Sequence, residues 1–234
     1  MTRDSKAIRE GTASAELIEK YTTFAAEGRT MTATLANSTS RDVRIVDIRE
    51  GKGVVFQFVA PFDIYYFMNI GGSNSNGGWP ECDMRKNLNQ MTYTDKTGTV
   101  RTTTAFSTYL NGMRVNGEDV EIQGVKIYSF DNTVADVVES TDKFWLPSVT
   151  EIYGEFNSFG QQYYSGNENC TQFIYYDRMG IDQTHYRAIA SVPWLWLRTT
   201  TVYGHDAFYC IGNSGQCESS GTVTSSGTKP CFCI

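Results

Sequence analysis

Thiols and imidazoles are the side chains best suited to chemistry near neutral pH, and this chain of 234 residues carries six Cys and two His. His185 and His205 are far apart in sequence, which excludes a histidine-rich metal centre and leaves a Ser-His-Asp triad at most two candidate bases. No serine sits in the G-x-S-x-G turn that exposes a hydrolase nucleophile. Cys231 and Cys233 form a C-x-C pair, but no second pair exists to complete a tetrahedral zinc site. Calcium-dependent sugar binding needs a carboxylate-amide loop of the E-P-N kind, and none is present. Gly51-Lys52-Gly53 lacks the spacing of a phosphate loop, and no helix with a phosphate-facing N-terminus follows it. These residues predict no metal, no cofactor and no catalytic set. Cys210 and Cys217 flank a turn and Cys231 and Cys233 share a strand face, so pairing among these four stays open. Free buried thiols are the simpler state for a chain made in the cytosol.

What remains is chemistry suited to recognition. Residues 157–177 are rich in Tyr, Gln and Asn and include Tyr163, Tyr164, Tyr175 and Tyr176. Rigid aromatic area with amide hydrogen bonding is what adaptable binding surfaces use, although a well-packed polar loop has the same composition. His205-Asp206 falls in a predicted loop, with Tyr203 and Tyr209 beside it. The candidate ligand contacts are therefore Tyr163, Tyr164, Tyr203, His205, Asp206 and Tyr209. A net charge of −6 with no concentrated basic face argues against nucleic acid as a partner. No segment approaches the roughly 18 to 20 apolar residues of a membrane span. The opening MTRDSKAIREG also lacks the apolar run of a secretory signal.

The elements that must position these residues centre on 191–198, SVPWLWLR, and the tail it feeds. Alternation puts Trp194 and Trp196 on one face of a strand and Leu195 and Leu197 on the other. A strand apolar on both faces is expected at the centre of a sheet, with its tryptophans as core and not as a sugar platform. A turn at 212–215 and a last strand over 228–234 complete an expected antiparallel meander. Near the N-terminus, Leu17, Ile18, Tyr21 and Phe24 recur on one face of a predicted helix over 13–27, stopped by Gly28. Such a helix packs on its own domain, docks on a partner or joins equivalent helices in an oligomer. Residues 30–41 read as a linker between an attachment segment, 1–41, and the body, 42–234.

Within the body, 42–48 and 54–59 read as a hairpin, and 62–70 and 125–130 as strands. Helices are expected from Trp79-Pro80 to 87–89 and over 103–110. The stretch 143–148 reads as a strand stopped at Pro147, followed by a capping box, Ser148 and Glu151, that opens a short helix ended near Gly154.

Four of these segments also carry a resemblance. WPECDMRKNLN at 79–89, KFWLPSVTEIYG at 143–154, WLWLRTTTVYGHDAFYCIGNSGQ at 194–216 and GTKPCFCI at 227–234 resemble, in order and spacing, a bacterial and phage family of unknown function. Its signatures are an S-x-L-R-x-x-L-N helix, an F-L-P-S-x-x-E step, a W-W-L-R-S strand and a terminal G-V-R-P-A-L strand. Here Cys82 replaces the usual Ser, Thr199 the Ser after L-R, and Lys229 the Arg before Pro230. The likeness runs from about residue 42 to the end. It implies an α+β, C-type-lectin-like fold with twisted antiparallel sheets and two or three short helices, a fold shared with formylglycine-generating enzymes. To this the chain adds the N-terminal helical extension.

The resemblance further implies a non-enzymatic phage virion protein, assembled in the host cytoplasm, as a head decoration, fibre or tail-tip adhesin. Other virion proteins and sister copies are its expected partners, and a host surface carbohydrate or protein its expected ligand. An enzyme of formylglycine-generating type and a bacterial surface adhesin are the alternatives.

Overall fold

The computed structural model describes residues 1–62, 66–72, 74–90, 92–102, 112–154, 168–191, 194–201 and 206–234. The chain is α+β, with strand pairings that are antiparallel throughout the sheets. It opens with α1 (Thr2–Arg9), α2 (Ala15–Ala26), β1 (Thr30–Thr34), β2 (Ser40–Arg49) and β3 (Gly53–Phe58). Next come α3 (Gly78–Glu81), α4 (Asp83–Asn89), β4 (Thr92–Thr94), β5 (Val100–Thr102), β6 (Arg114–Val115) and β7 (Glu118–Asp119). The hairpin β8 (Val125–Asp131) and β9 (Asp136–Asp142) leads through β10 (Phe144–Trp145) to α5 (Val149–Tyr153) and α6 (Ile174–Arg178). The meander β11 (Leu195–Thr200), β12 (Ala207–Ile211) and β13 (Cys217–Gly221), then β14 (Cys231–Cys233), close the chain.

The main sheet has seven strands in the order β10-β14-β3-β2-β1-β6-β7. Every residue of β3 is buried, as its apolar alternation with Gln57 inside requires. Phe232 of β14 stacks on Phe56 at 5.3 Å between ring centres and meets Phe144 at 5.9 Å, so three strands are tied by one aromatic cluster.

The segment expected as a linker is in large part a strand. Residues of β1 pair with β2 from Thr30↔Arg44 to Thr34↔Ser40, and Ala33 is fully buried. Alternating Thr, Met and Ala suit a half-buried pleat, and β-branched threonines favour it. The predicted helix at 13–27 is α2, capped by the Ser14 side chain, which accepts from the Leu17 N–H. Its Tyr21 and Ala25 are buried where it packs on β2 and α6, while Leu17 and Phe24 are half-buried and Ile18 is 38% exposed. The charged opening residues, part of the expected attachment segment, form α1. There Ser5 Oγ donates to the Ile234 carbonyl and accepts from the Val54 N–H, tying α1 to β14 and β3.

Four further elements differ from expectation, the first two of them in the C-terminal half. β11 is buried along its length, yet it is an edge of the three-stranded sheet and not its centre. Its outer side is covered by irregular chain: the Trp196 N–H donates to the Gly227 carbonyl and the Arg198 N–H to the Pro147 carbonyl, each at 3.0 Å. The last strand leaves the meander and inserts between β10 and β3 of the large sheet. The expected strand over 62–70 is reduced, among its described residues, to one bridge between Tyr66 and Ser226. The expected helix after Trp79 is broken into α3 and α4 at Cys82, whose Sγ accepts from the Arg85 N–H and so starts the second helix. The expected helix over 103–110 lies outside the described residues.

Candidate functional site

The W-L-W-L-R strand builds a buried polar frame. Trp196 Nε1 donates to the Tyr66 carbonyl at 2.8 Å, leaving the indole in the core at 1% exposure. Arg198 is fully buried; its Nε donates to the Tyr128 carbonyl at 2.9 Å, and its Nη1 donates to the Leu146 carbonyl and to Glu151 Oε2. The capping box forms as its spacing dictates, with Ser148 Oγ accepting from the Glu151 N–H and Glu151 Oε2 from the Ser148 N–H. Burial alone would raise the Glu151 carboxyl, but Arg198, Lys52 and Arg49 outweigh it and hold the group down at about 2. Beside this pair, buried Glu168 accepts from the Thr150 and Thr199 hydroxyls and from the Phe130 N–H. These carboxylates are held by fixed donors inside the core, with Lys52 Nζ 3.7 Å from Glu151 Oε1, which makes them a brace between α5, β8 and β11.

The six thiols follow the same logic. All are free; five are buried and Cys170 is half-buried. Burial pushes Cys82, Cys170, Cys210 and Cys233 up to about 12, and raises Cys217 and Cys231 well above the ordinary thiol value, so none is a thiolate at neutral pH. Among the described residues no group of three His, Cys, Asp or Glu is placed to hold a metal ion.

Of the ligand contacts expected from the sequence, Tyr163, Tyr164, Tyr203 and His205 lie outside the described residues. Asp206 is exposed just before β12, whereas Tyr209, within that strand, is 4% exposed and belongs to the core. The structure brings a different group together. A cavity of about 100 Å³ opens between β2, β3, α6, β11 and the segment before β14, with Arg44, Gln57, Tyr175, Tyr176, Trp196 and Lys229 among its lining.

Register explains why these residues meet. Arg44 and Gln57 are cross-strand partners in β2 and β3. Tyr175 and Tyr176 are brought over them by α6, and the Arg44 guanidinium lies 4.3 Å from the centre of the Tyr175 ring. The end of α2 sets that ring's height: Gly28, at φ +61°, passes so close that a Cβ there would stand 2.3 Å from Tyr175. Tyr176 Oη donates to Gln57 Oε1 at 2.6 Å, which fixes the amide, and Gln57 Nε2 reaches the Lys229 carbonyl at 3.5 Å. Burial, and then the nearby Arg44 charge, lowers the Lys229 ammonium from its ordinary value. Arg44 Nε is buried with no hydrogen-bond acceptor, and no acidic residue lines the cavity among the described residues. Two cations, two phenols and an amide can hold an anion.

Sequence reasoning placed Tyr175 and Tyr176 in a binding-rich stretch but passed over Arg44 and Lys229. Alternation over 42–48 sets Arg44 opposite Val43 and Ile45, as a solvent-facing residue would be, and Lys229 stands as a conservative departure from an Arg. The available signal was a lone Lys in the otherwise uncharged run from 219 to 234.

Residues 63–234 match the family model described as a domain of unknown function, DUF6273, and the chain belongs to that family. No curated protein and no solved structure matches the chain. The matched segment begins some way after the residue near 42 expected from the resemblance, so the cavity straddles its boundary. Tyr175, Tyr176, Trp196 and Lys229 lie inside it, and Arg44 and Gln57 precede it. Among the described residues no helix is long and apolar enough to cross a membrane.

Proposed function

We propose that this chain is a non-enzymatic binding module, a C-type-lectin-like body carried on the surface of a bacteriophage particle and directed at a host surface carbohydrate or protein. The observation that carries the binding part is the cavity between Arg44 and Lys229, an aromatic and cationic recess without a nucleophile-base pair. The inert thiols favour this reading over an oxidase of formylglycine-generating type, which needs reactive cysteines. The virion placement, with other virion proteins and sister copies as partners, rests on the four sequence segments and their order. Ile18 on α2 is the exposed apolar residue available to such a neighbour, since the rest of the helix's apolar face is used within the chain.

Mass spectrometry of purified particles together with a sedimentation assay on isolated host envelopes tests the proposal. The expected result is the chain present in stoichiometric amount in particles and saturable envelope binding by the purified protein. Its absence from particles would remove the virion placement, and substrate turnover by the purified protein would remove the non-enzymatic reading.

A further inference from the structure

We infer that the cavity between β2, α6 and the segment before β14 is an oxyanion site, in which Arg44 and Lys229 together hold a carboxylate, sulfate or phosphate group of the ligand. This rests on the reading of the cavity as the binding site and names the chemistry of its occupant.

Charge matching elsewhere in the molecule sets the standard. Arg198 meets Glu151, Arg85 meets Asp142 at 2.7 Å, and Arg49 meets Asp47, each of these carboxylates being almost wholly buried. The chain carries 26 acidic residues against 20 basic ones, so carboxylates are not scarce. Arg44 and Lys229 nevertheless share a recess whose described lining holds no acid, close enough that Arg44 helps to depress the Lys229 ammonium. A buried guanidinium Nε–H without an acceptor costs folding free energy, as does a pair of half-buried like charges. A ligand that brings negative charge relieves both costs at once.

The geometry also restricts the shape of that ligand. Contact with the Tyr175 ring restrains the Arg44 guanidinium, whose planar fork recognises the oxygens of a carboxylate, sulfate or phosphate. Gln57 Nε2 is only weakly engaged, at 3.5 Å, and can donate a further hydrogen bond. A cavity of about 100 Å³ accepts the charged group and little more, so the rest of the ligand must lie outside it. The fitting ligand is a terminal or pendant acidic group on a larger surface polymer. An acidic sugar and a phosphate-bearing polymer share this chemistry.

The test titrates the folded protein with inorganic phosphate, sulfate, acetate and glucuronate against chloride at constant ionic strength, following tryptophan fluorescence and calorimetry. Arg44→Met and Lys229→Met are compared with wild type and with Lys126→Met, an exposed control paired with Glu139. Saturable binding of at least one oxyanion is expected, weakened roughly ten- to hundredfold in Arg44→Met and Lys229→Met and unchanged in Lys126→Met. Preference for glucuronate assigns the site to an acidic sugar, and preference for phosphate to a phosphate-bearing polymer; either supports the inference. No saturable response beyond chloride, or equal weakening in Lys126→Met, overturns it. Anion binding by a protein that ignores host envelopes and is absent from particles would leave this site standing while removing the virion proposal.

Discussion

Replacing Glu151 with Gln isolates one charge in the brace beneath β11. The amide keeps the size of the side chain and the hydrogen-bonding partner that a capping box needs at this position, so helix α5 is little disturbed. What changes is Arg198, which is left fully buried with the Leu146 and Tyr128 carbonyls but without its ion-pair partner. Breaking a buried pair on one side costs about 3–5 kcal/mol. The depression of the Glu151 carboxyl from 4.5 to about 2 gives an independent figure on the order of 3 kcal/mol. Because the folded value lies below the unfolded one, this stabilisation is fully present above pH 4.5 and is lost as pH falls toward 2.

Urea unfolding followed by tryptophan fluorescence measures both effects. Glu151→Gln should be about 3 kcal/mol less stable than wild type at pH 7, and the gap should narrow to about 2 kcal/mol by pH 3.5. Replacing Glu151 and Arg198 together with Leu should recover much of the loss, since a buried pair is replaceable by apolar groups of similar volume. A gap under about 1 kcal/mol at pH 7, or one that does not change with pH, would refute the reasoning.

Lys229→Met should raise stability at pH 7 by about 0.5–1 kcal/mol, because the folded protein depresses this ammonium below 10.5 and pays for its charge at every lower pH. That gain should shrink as pH approaches 10.5, where wild type loses the charge in both states, and denaturation at pH 7 and pH 10 checks it. Gly215 sits at φ +87° with a virtual Cβ 2.1 Å from the Tyr186 carbonyl, so Gly215→Ala should cost more than about 2 kcal/mol. Gly98→Ala, at φ +83° with open space around it, should cost about 1 kcal/mol in the same urea assay. Ser5→Ala removes the hydroxyl shared by the Val54 N–H and the Ile234 carbonyl; a loss of about 1–3 kcal/mol is expected, with faster amide exchange at Val54.

Local physics was legible where one segment specifies its own structure. The Ser148 to Glu151 capping box, the turn that joins β2 to β3, the stripe of α2 and the two-sided burial of β11 all follow from spacing alone. What escaped depends on partners remote in the chain. Residues 30–34 became a strand because β2 and β6 offered edges on both sides, and a Thr-rich run with one buried alanine carries little signal of that. β14 was expected to rejoin the meander, but Phe232 is more completely covered between Phe56 and Phe144. Charge was the least legible feature. Arg198 reads from the sequence as a strand-ending cation in need of a partner, and Glu151, its partner, lies 47 positions away. Arg44 and Lys229 are still further apart, and only the fold shows that they line one cavity.

The Arg44 Nε–H resonance offers the most direct view of the central claim, because that proton is buried and has no acceptor among the described residues. Titration with phosphate or glucuronate, observed by nitrogen-resolved NMR of the arginine side chains, should shift this signal in a saturable way with the same midpoint as the calorimetric binding curve. An Arg44 signal that stays in place while the protein saturates with anion would put the ligand elsewhere and contradict the account.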